Sequence, residues 1–167
     1  MTTKVLFLFL IIAVGGSAYT QNAIDTSKVT AKPLYIDSTF TKTIDTIGNV
    51  KLIQYFHQSK TYKGRRMFLG KDEYLLSGEL ILSSRNDYDN EVTIAYTFFE
   101  SGEIRSINSC RMNGGCDLIY FFKNGKIKSK YSVNSEGLNS GLWLRYNSNG
   151  KLVEKRLYSE EGKLINE

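Results

Sequence analysis

Two heptapeptides, Phe121-Phe122-Lys123-Asn124-Gly125-Lys126-Ile127 and Tyr146-Asn147-Ser148-Asn149-Gly150-Lys151-Leu152, decide how this chain folds. Each runs aromatic, three turn-forming residues, Gly, Lys, then a branched aliphatic. Asn-Gly supplies the left-handed backbone of a tight hairpin turn. The residues four before and two after the glycine are symmetric about that turn, so they face each other across two antiparallel strands. An aromatic opposite a branched aliphatic is a stabilising cross-strand pair, worth about 0.2–1 kcal/mol.

Glycines continue the pattern in both directions, at Gly102, Gly114, Gly125, Gly137, Gly150 and Gly162, with intervals of 12, 11, 12, 13 and 12. Gly78 and Asn90 extend the series toward the N-terminus, Asn being the best substitute for Gly where φ is positive. The same flanking pairs recur as Tyr74 with Leu80, Phe98 with Ile104 and Tyr158 with Leu164. Twelve residues per turn leave about eight per strand. The spacing predicts an all-β fold, an antiparallel up-and-down meander of at least seven strands between Tyr74 and Leu164. Glycine at every turn argues against helix. Because side chains alternate with period two, the odd intervals predict irregularities near Tyr120-Phe121 and near Asn139-Ser140-Gly141.

Cys110 and Cys116 occupy the two facing positions of the Gly114 unit. Facing Cα atoms lie about 4.5–5.5 Å apart, within disulfide range, so a hairpin disulfide is expected. A redox-active pair is the alternative. Its usual spacing is CxxC at a helix start, and neither feature is present.

The N-terminus explains why such a bond would be oxidised. Lys4 precedes ten apolar residues, Val5 to Val14, and Gly15-Gly16-Ser17-Ala18 follow. A basic start, a short apolar run and small exit residues describe a secretory signal peptide over residues 1–20. As a helix the run rises about 15 Å, half of a bilayer core, which is too short for an anchor. The expected location is exported, periplasmic or extracellular, where disulfides persist. Residues 21–46 read as a polar linker or loosely docked strand, and 47–167 as the hairpin domain, with the best repeats over 74–167. The apolar content of 41% supports one folded domain in 167 residues. The net charge of +5 is small and spread along the chain, so no nucleic-acid stripe exists.

The fullest unit, Gly141-Leu142-Trp143-Leu144-Arg145-Tyr146-Asn147-Ser148-Asn149-Gly150-Lys151-Leu152, resembles the MORN-like (membrane occupation and recognition nexus) repeat variants of bacteria. Their unit is Gly-x-Trp-x-x-Tyr-x-x-x-Gly-Lys-Leu. Weaker copies extend the resemblance over residues 74–167, although Trp143 occurs once and Cys110, Val133 and Asn86 replace the aromatic elsewhere. The resemblance implies one hairpin per two dozen residues, hairpins stacked into an elongated single-layer sheet, and a protein-interaction or envelope-associated scaffold. Some relatives are labelled antitoxins. No catalytic residues carry over.

Few residues suggest chemistry. His57 is the sole histidine, and without a partner in view it reads as an ordinary surface or partly packed residue. No nucleophile elbow, zinc-protease helix or phosphate loop is present, so no cofactor or metal is expected. Asp87, Asp89 and Glu91 lack the spacing of a calcium loop and read as an acidic turn. Lys126, Lys128 and Lys130 alternate with Ile127, Ser129 and Tyr131, which places three ammonium groups on one sheet face, a candidate surface for lipid headgroups or acidic glycans. Trp143 is the candidate exposed aromatic.

The expectation is therefore an exported, non-enzymatic β-repeat protein that binds another protein or an envelope component. The rivals are a hydrolase using Asp87, Glu103 or Asp117 in a shallow groove, and an antitoxin or immunity-type inhibitor.

Overall fold

The computed structural model describes residues 40–62 and 64–166. The expected signal peptide over residues 1–20, most of the 21–46 segment, Lys63 and Glu167 lie outside them. Eleven strands follow in order: β1 Phe40–Ile47, β2 Val50–Tyr62, β3 Arg65–Leu75, β4 Leu80–Asp87, β5 Val92–Phe98, β6 Ile104–Arg111, β7 Cys116–Phe121, β8 Ile127–Val133, β9 Asn139–Tyr146, β10 Leu152–Tyr158 and β11 Leu164–Asn166. They form one open antiparallel sheet in sequence order, each strand pairing with its chain neighbours. This is the meander expected from the glycine spacing. It begins earlier than Tyr74, since Phe40–Ile47 pairs along its whole length with β2.

Turn chemistry is the reason the repeat folds this way. In the Gly125 hairpin the Phe122 N–H donates to the Lys126 carbonyl (2.8 Å) and the Gly125 N–H to the Phe122 carbonyl (2.9 Å). The same two bonds close the Gly78, Gly102, Gly114, Gly137, Gly150 and Gly162 turns. A tight turn followed by a left-handed residue is the usual three-residue hairpin loop, and Gly125 carries that conformation at φ 77°. Tyr74 faces Leu80, Phe98 faces Ile104, Phe121 faces Ile127, Tyr146 faces Leu152 and Tyr158 faces Leu164, as the symmetry argument requires.

The intervals also have a structural cause. In these five hairpins one extra residue follows the aliphatic: Ile81, Arg105, Lys128, Val153 and Ile165. The twelve-residue period contains that bulge. The Cys110–Cys116 hairpin pairs without one, which accounts for the interval of 11. The Gly137 hairpin also lacks it, and the β8–β9 pairing instead gains two residues opposite Tyr131, giving 13. Irregularities therefore occur at both expected places. The one at Tyr120-Phe121 is a feature of the common unit and not an exception to it.

Two ruler positions differ from expectation. Glu91, and not Asn90, holds the positive φ of the β4–β5 turn, at 52°. The Asp87 carboxylate accepts the N–H groups of Asp89 and Asn90 (3.1 and 3.0 Å), and this side-chain turn passes the left-handed position one residue on. Gly114 lacks a positive φ, and its hairpin, closed by the same two backbone bonds, is also clamped by the disulfide.

Residues directly opposite each other share a face, so the pairings define two rows across the sheet. One runs Ser83, Tyr96, Ile107, Ile119, Lys130, Leu144, Lys155 from β4 to β10. On this face sits the core: Leu80, Phe98, Ile104 and Phe121 are at most 5% exposed, with Tyr74, Tyr96, Ile107, Ile119 and Ile127 packed against them. The core lies at the end of the sheet that carries the Gly78, Gly102 and Gly125 turns. The bulges keep it there, because each one resets the side-chain alternation after the turn.

On the same face, Asp72 is fully buried. Its Oδ1 accepts from Ser83 Oγ (2.6 Å) and Arg85 Nη1 (2.9 Å), and its Oδ2 from Tyr55 OH (2.7 Å) and Arg85 Nη2 (3.1 Å). The Arg85 guanidinium lies 4.7 Å from the centre of the Tyr55 ring. Burial, followed by the hydrogen bond to Asp72, pushes the Tyr55 hydroxyl well above its ordinary pKa, so it stays a donor. Gly70 stands opposite Arg85, where a Cβ would meet the Ser84 carbonyl oxygen at 2.0 Å.

Candidate functional site

The core face changes character along the sheet. Toward its C-terminal end, Leu142, Leu152 and Leu157 lie on that face with 39–44% of their surface exposed. Leu152 fills the repeat position that Leu80 and Ile104 fill in the buried hairpins. The sequence is equally apolar at both ends, so the difference is one of neighbours. Leu80 and Ile104 have full strands on both sides. Among the described residues the outer neighbour of β10 is β11, three residues long, whose described pairings reach Leu157 and Tyr158.

The opposite face of β9–β10 is polar and closed. Glu154 receives Arg145 Nε (2.6 Å) and Arg156 Nη2 (2.6 Å), and the Arg156 guanidinium covers the Trp143 ring at 5.5 Å. Trp143 is thus half-buried beneath a cation rather than an open aromatic anchor.

The three lysines do not make the expected row. Lys126 sits in the turn, where its Nζ donates to the Asn149 carbonyl (3.0 Å). Lys128 is the extra residue of the bulge, and it shifts the alternation so that Lys130 falls on the core face between Ile119 and Leu144. A period-two reading cannot see a bulge of this kind.

Cys110 and Cys116 form the expected disulfide, with Cα atoms 4.0 Å apart. Next to it, Gly115 presses on the neighbouring strand so closely that a Cβ would lie 1.8 Å from the Val133 carbonyl oxygen.

His57 in β2 accepts the N–H groups of Ser59 (3.2 Å) and Lys60 (3.1 Å) at Nδ1, a local turn. Asp87 and Asp117 lie on strands separated by β5 and β6, and Glu103 sits at the turn end away from both. The structure does not bring these three carboxylates together. A shallow groove of about 660 Å³ crosses β3–β7 on the face away from the core, with Glu100, Arg105, Tyr120 and Lys123 among its walls. None of the three carboxylates lines it. Among the described residues no group of three or more His, Cys, Asp or Glu is placed to hold a metal ion, and no helix is long and apolar enough to cross a membrane.

Two features escaped the sequence reading. The Asp72–Arg85 pair was detectable by parity: Asp72 precedes the inward Tyr74 by two residues and so shares its face. The exposed leucine row was not, because Leu152 and Leu80 are the same residue in the same motif.

Neither a protein-family model nor a curated protein matches this chain.

Proposed function

We propose that this protein is an exported, non-enzymatic interaction module of the bacterial MORN-like repeat kind, and that it binds a partner protein through the open end of its sheet. The observation that carries this reading is the contrast within one repeat position, buried at Leu80 (5%) and Ile104 (2%) but 44% exposed at Leu152. Solenoid repeats hide their apolar faces by stacking. The β9–β10 hairpin instead leaves its leucines partly open. Fully burying a leucine is worth about 1.5–3 kcal/mol, so covering the 39–44% of Leu142, Leu152 and Leu157 that is still exposed gains about 2–4 kcal/mol in all, before the partner's ordering costs.

Two further observations support the reading. The Cys110–Cys116 disulfide fits an oxidising, exported location. Lys126, Lys128 and Lys130 do not line up on one face, which supports a protein partner over a lipid headgroup or glycan. The test is a crosslinking pull-down from the native envelope fraction with the disulfide-intact protein, run beside Leu142→Lys/Leu157→Lys. The expected result is one protein recovered at near-equal stoichiometry with the first bait and lost with the second. Equal recovery by both would refute the assignment of this surface.

A further inference from the structure

We infer that the groove over β4–β7, on the face away from the core, captures the free C-terminal carboxylate of an extended peptide. This is a second site, opposite the exposed leucines, and it stands independently of the interaction reading above. The Lys71–Glu73 ion pair (2.6 Å) bounds the groove at β3. Tyr120 bounds it at β7, its ring stacked on that of Tyr131 in β8 with centroids 5.9 Å apart. On the floor between them the Thr97 and Ser106 hydroxyls bond each other (2.7 Å).

The remaining polar groups of the groove are not matched in this way. Arg105 and Lys123 are exposed and form no ion pair among the described residues. Lys123 lies instead over the Phe99 ring, 5.7 Å from its centre. Glu103, whose charge reaches Lys123, is already held by the Ser101 hydroxyl and its own backbone. Glu100, on the turn between β5 and β6, also forms no ion pair among the described residues. The Oδ1 of Asn108 is buried and has no hydrogen-bond partner. Such an acceptor is costly to leave unmade, and turning the amide about its last torsion presents it to a ligand N–H. Two cations, an orphan acceptor for a backbone N–H and an aromatic wall beyond them suit the end of a peptide.

The strand spacing defines the rest of the ligand. From β4 to β7 is about 14 Å, which about four residues of extended chain cover. Alternate side chains of such a segment face the sheet, those two and four residues before the terminus among them. With the carboxylate at Arg105 and Lys123, the residue two back lies toward Glu100 and is basic. The residue four back lies over Ile81 and Leu82 and is apolar. A chain that continued past its carboxylate would run into Tyr120, so the terminus and not an acidic side chain supplies the charge.

The test is titration calorimetry on the full disulfide-bonded chain with N-acetylated Thr-Val-Thr-Lys-Thr-Ser, as the free acid and as the C-terminal amide. The acid should bind about tenfold more tightly than the amide, or better. Arg105→Ala and Lys123→Ala should weaken the acid and leave the amide unchanged, which closes that gap. Asn108→Leu should weaken both forms, because it removes the acceptor for the backbone. Glu100→Lys should reverse the preference for Lys over Glu two residues from the end. Leu142→Lys/Leu157→Lys should bind the peptide as the parent does, which separates this site from the leucine surface. Equal affinity for acid and amide, no binding of either, or an unchanged gap in Arg105→Ala/Lys123→Ala overturns the inference. Tight binding by an amide whose last residue is Asp would overturn terminal capture, since a side-chain carboxylate would then suffice.

Discussion

Leu80 and Leu152 each stand two residues after a turn glycine and opposite a tyrosine, Tyr74 and Tyr146, yet one is 5% exposed and the other 44%. Local chemistry cannot produce that difference, since the two hairpins share turn, bulge and facing pair. It comes from position in the sheet. The consequence is a division of labour: the same residue type stabilises the fold at β4 and is available for binding at β10.

Alanine at the two positions should separate these roles. Leu80→Ala removes a side chain from a packed cluster and should cost about 2–5 kcal/mol in urea unfolding. Leu152→Ala should stay within about 1 kcal/mol of the parent, because nearly half of its surface is already in water and it lies outside the buried cluster. Partner binding should respond in the opposite order.

The Asp72–Arg85 pair should be intolerant of partial removal. Asp72→Ala removes the buried carboxylate shared by the Arg85 guanidinium and the Tyr55 and Ser83 hydroxyls, and should destabilise by about 3–5 kcal/mol. Denaturant midpoints of Asp72→Ala, Ser83→Ala and the double variant would show the coupling, with the double variant costing less than the two separate losses added together.

Reducing the disulfide should have a limited effect. Cys110 and Cys116 close a short loop, and the two backbone bonds of that turn remain. Cys110→Ser/Cys116→Ser should lose at most about 2–4 kcal/mol and keep its strand signature by circular dichroism.

Stability should fall at both pH extremes for identifiable reasons. Hydrogen bonds from the Asn90 side chain and backbone, then from the Asp89 N–H, hold the Asp87 carboxyl below its usual range. Its contribution is present above the unfolded carboxyl pKa and is lost as pH falls through the folded one. Asp87→Asn should flatten that acid limb. At the other extreme, burial and then the hydrogen bond with Tyr120 push the Tyr131 hydroxyl up to about 12. The neutral form is favoured in the fold, so this contribution is intact below pH 10 and disappears as pH rises through about 12. Ultraviolet titration of Tyr131→Phe against the parent would identify that late-ionising phenol.

Much of the fold was legible because the turn chemistry is local. Asn124-Gly125 and Asn149-Gly150 announce hairpins, the facing pairs follow by symmetry, and Cys110 with Cys116 obeys the same rule. The bulges were legible only as intervals. Their placement at Lys128 or Arg105 depends on how a strand resets after its turn, which no residue type announces. That is why the lysine row was misplaced. β1 was harder to see for another reason, since Phe40–Ile47 has no glycine at the repeat spacing and mixes Thr, Lys and Asp with its apolar residues. The exposure of Leu152 was invisible, because it depends on how the neighbouring strands cover it and not on the residues beside it.

The most direct test of the central claim is site-specific photocrosslinking in the native envelope. A photoreactive residue placed at Leu157, on the open core face of β10, is compared with one at Lys71, on the opposite face of β3. The account predicts a single crosslinked partner from position 157 and none from position 71. Crosslinking from 71 alone, or to the same extent from both, would contradict it.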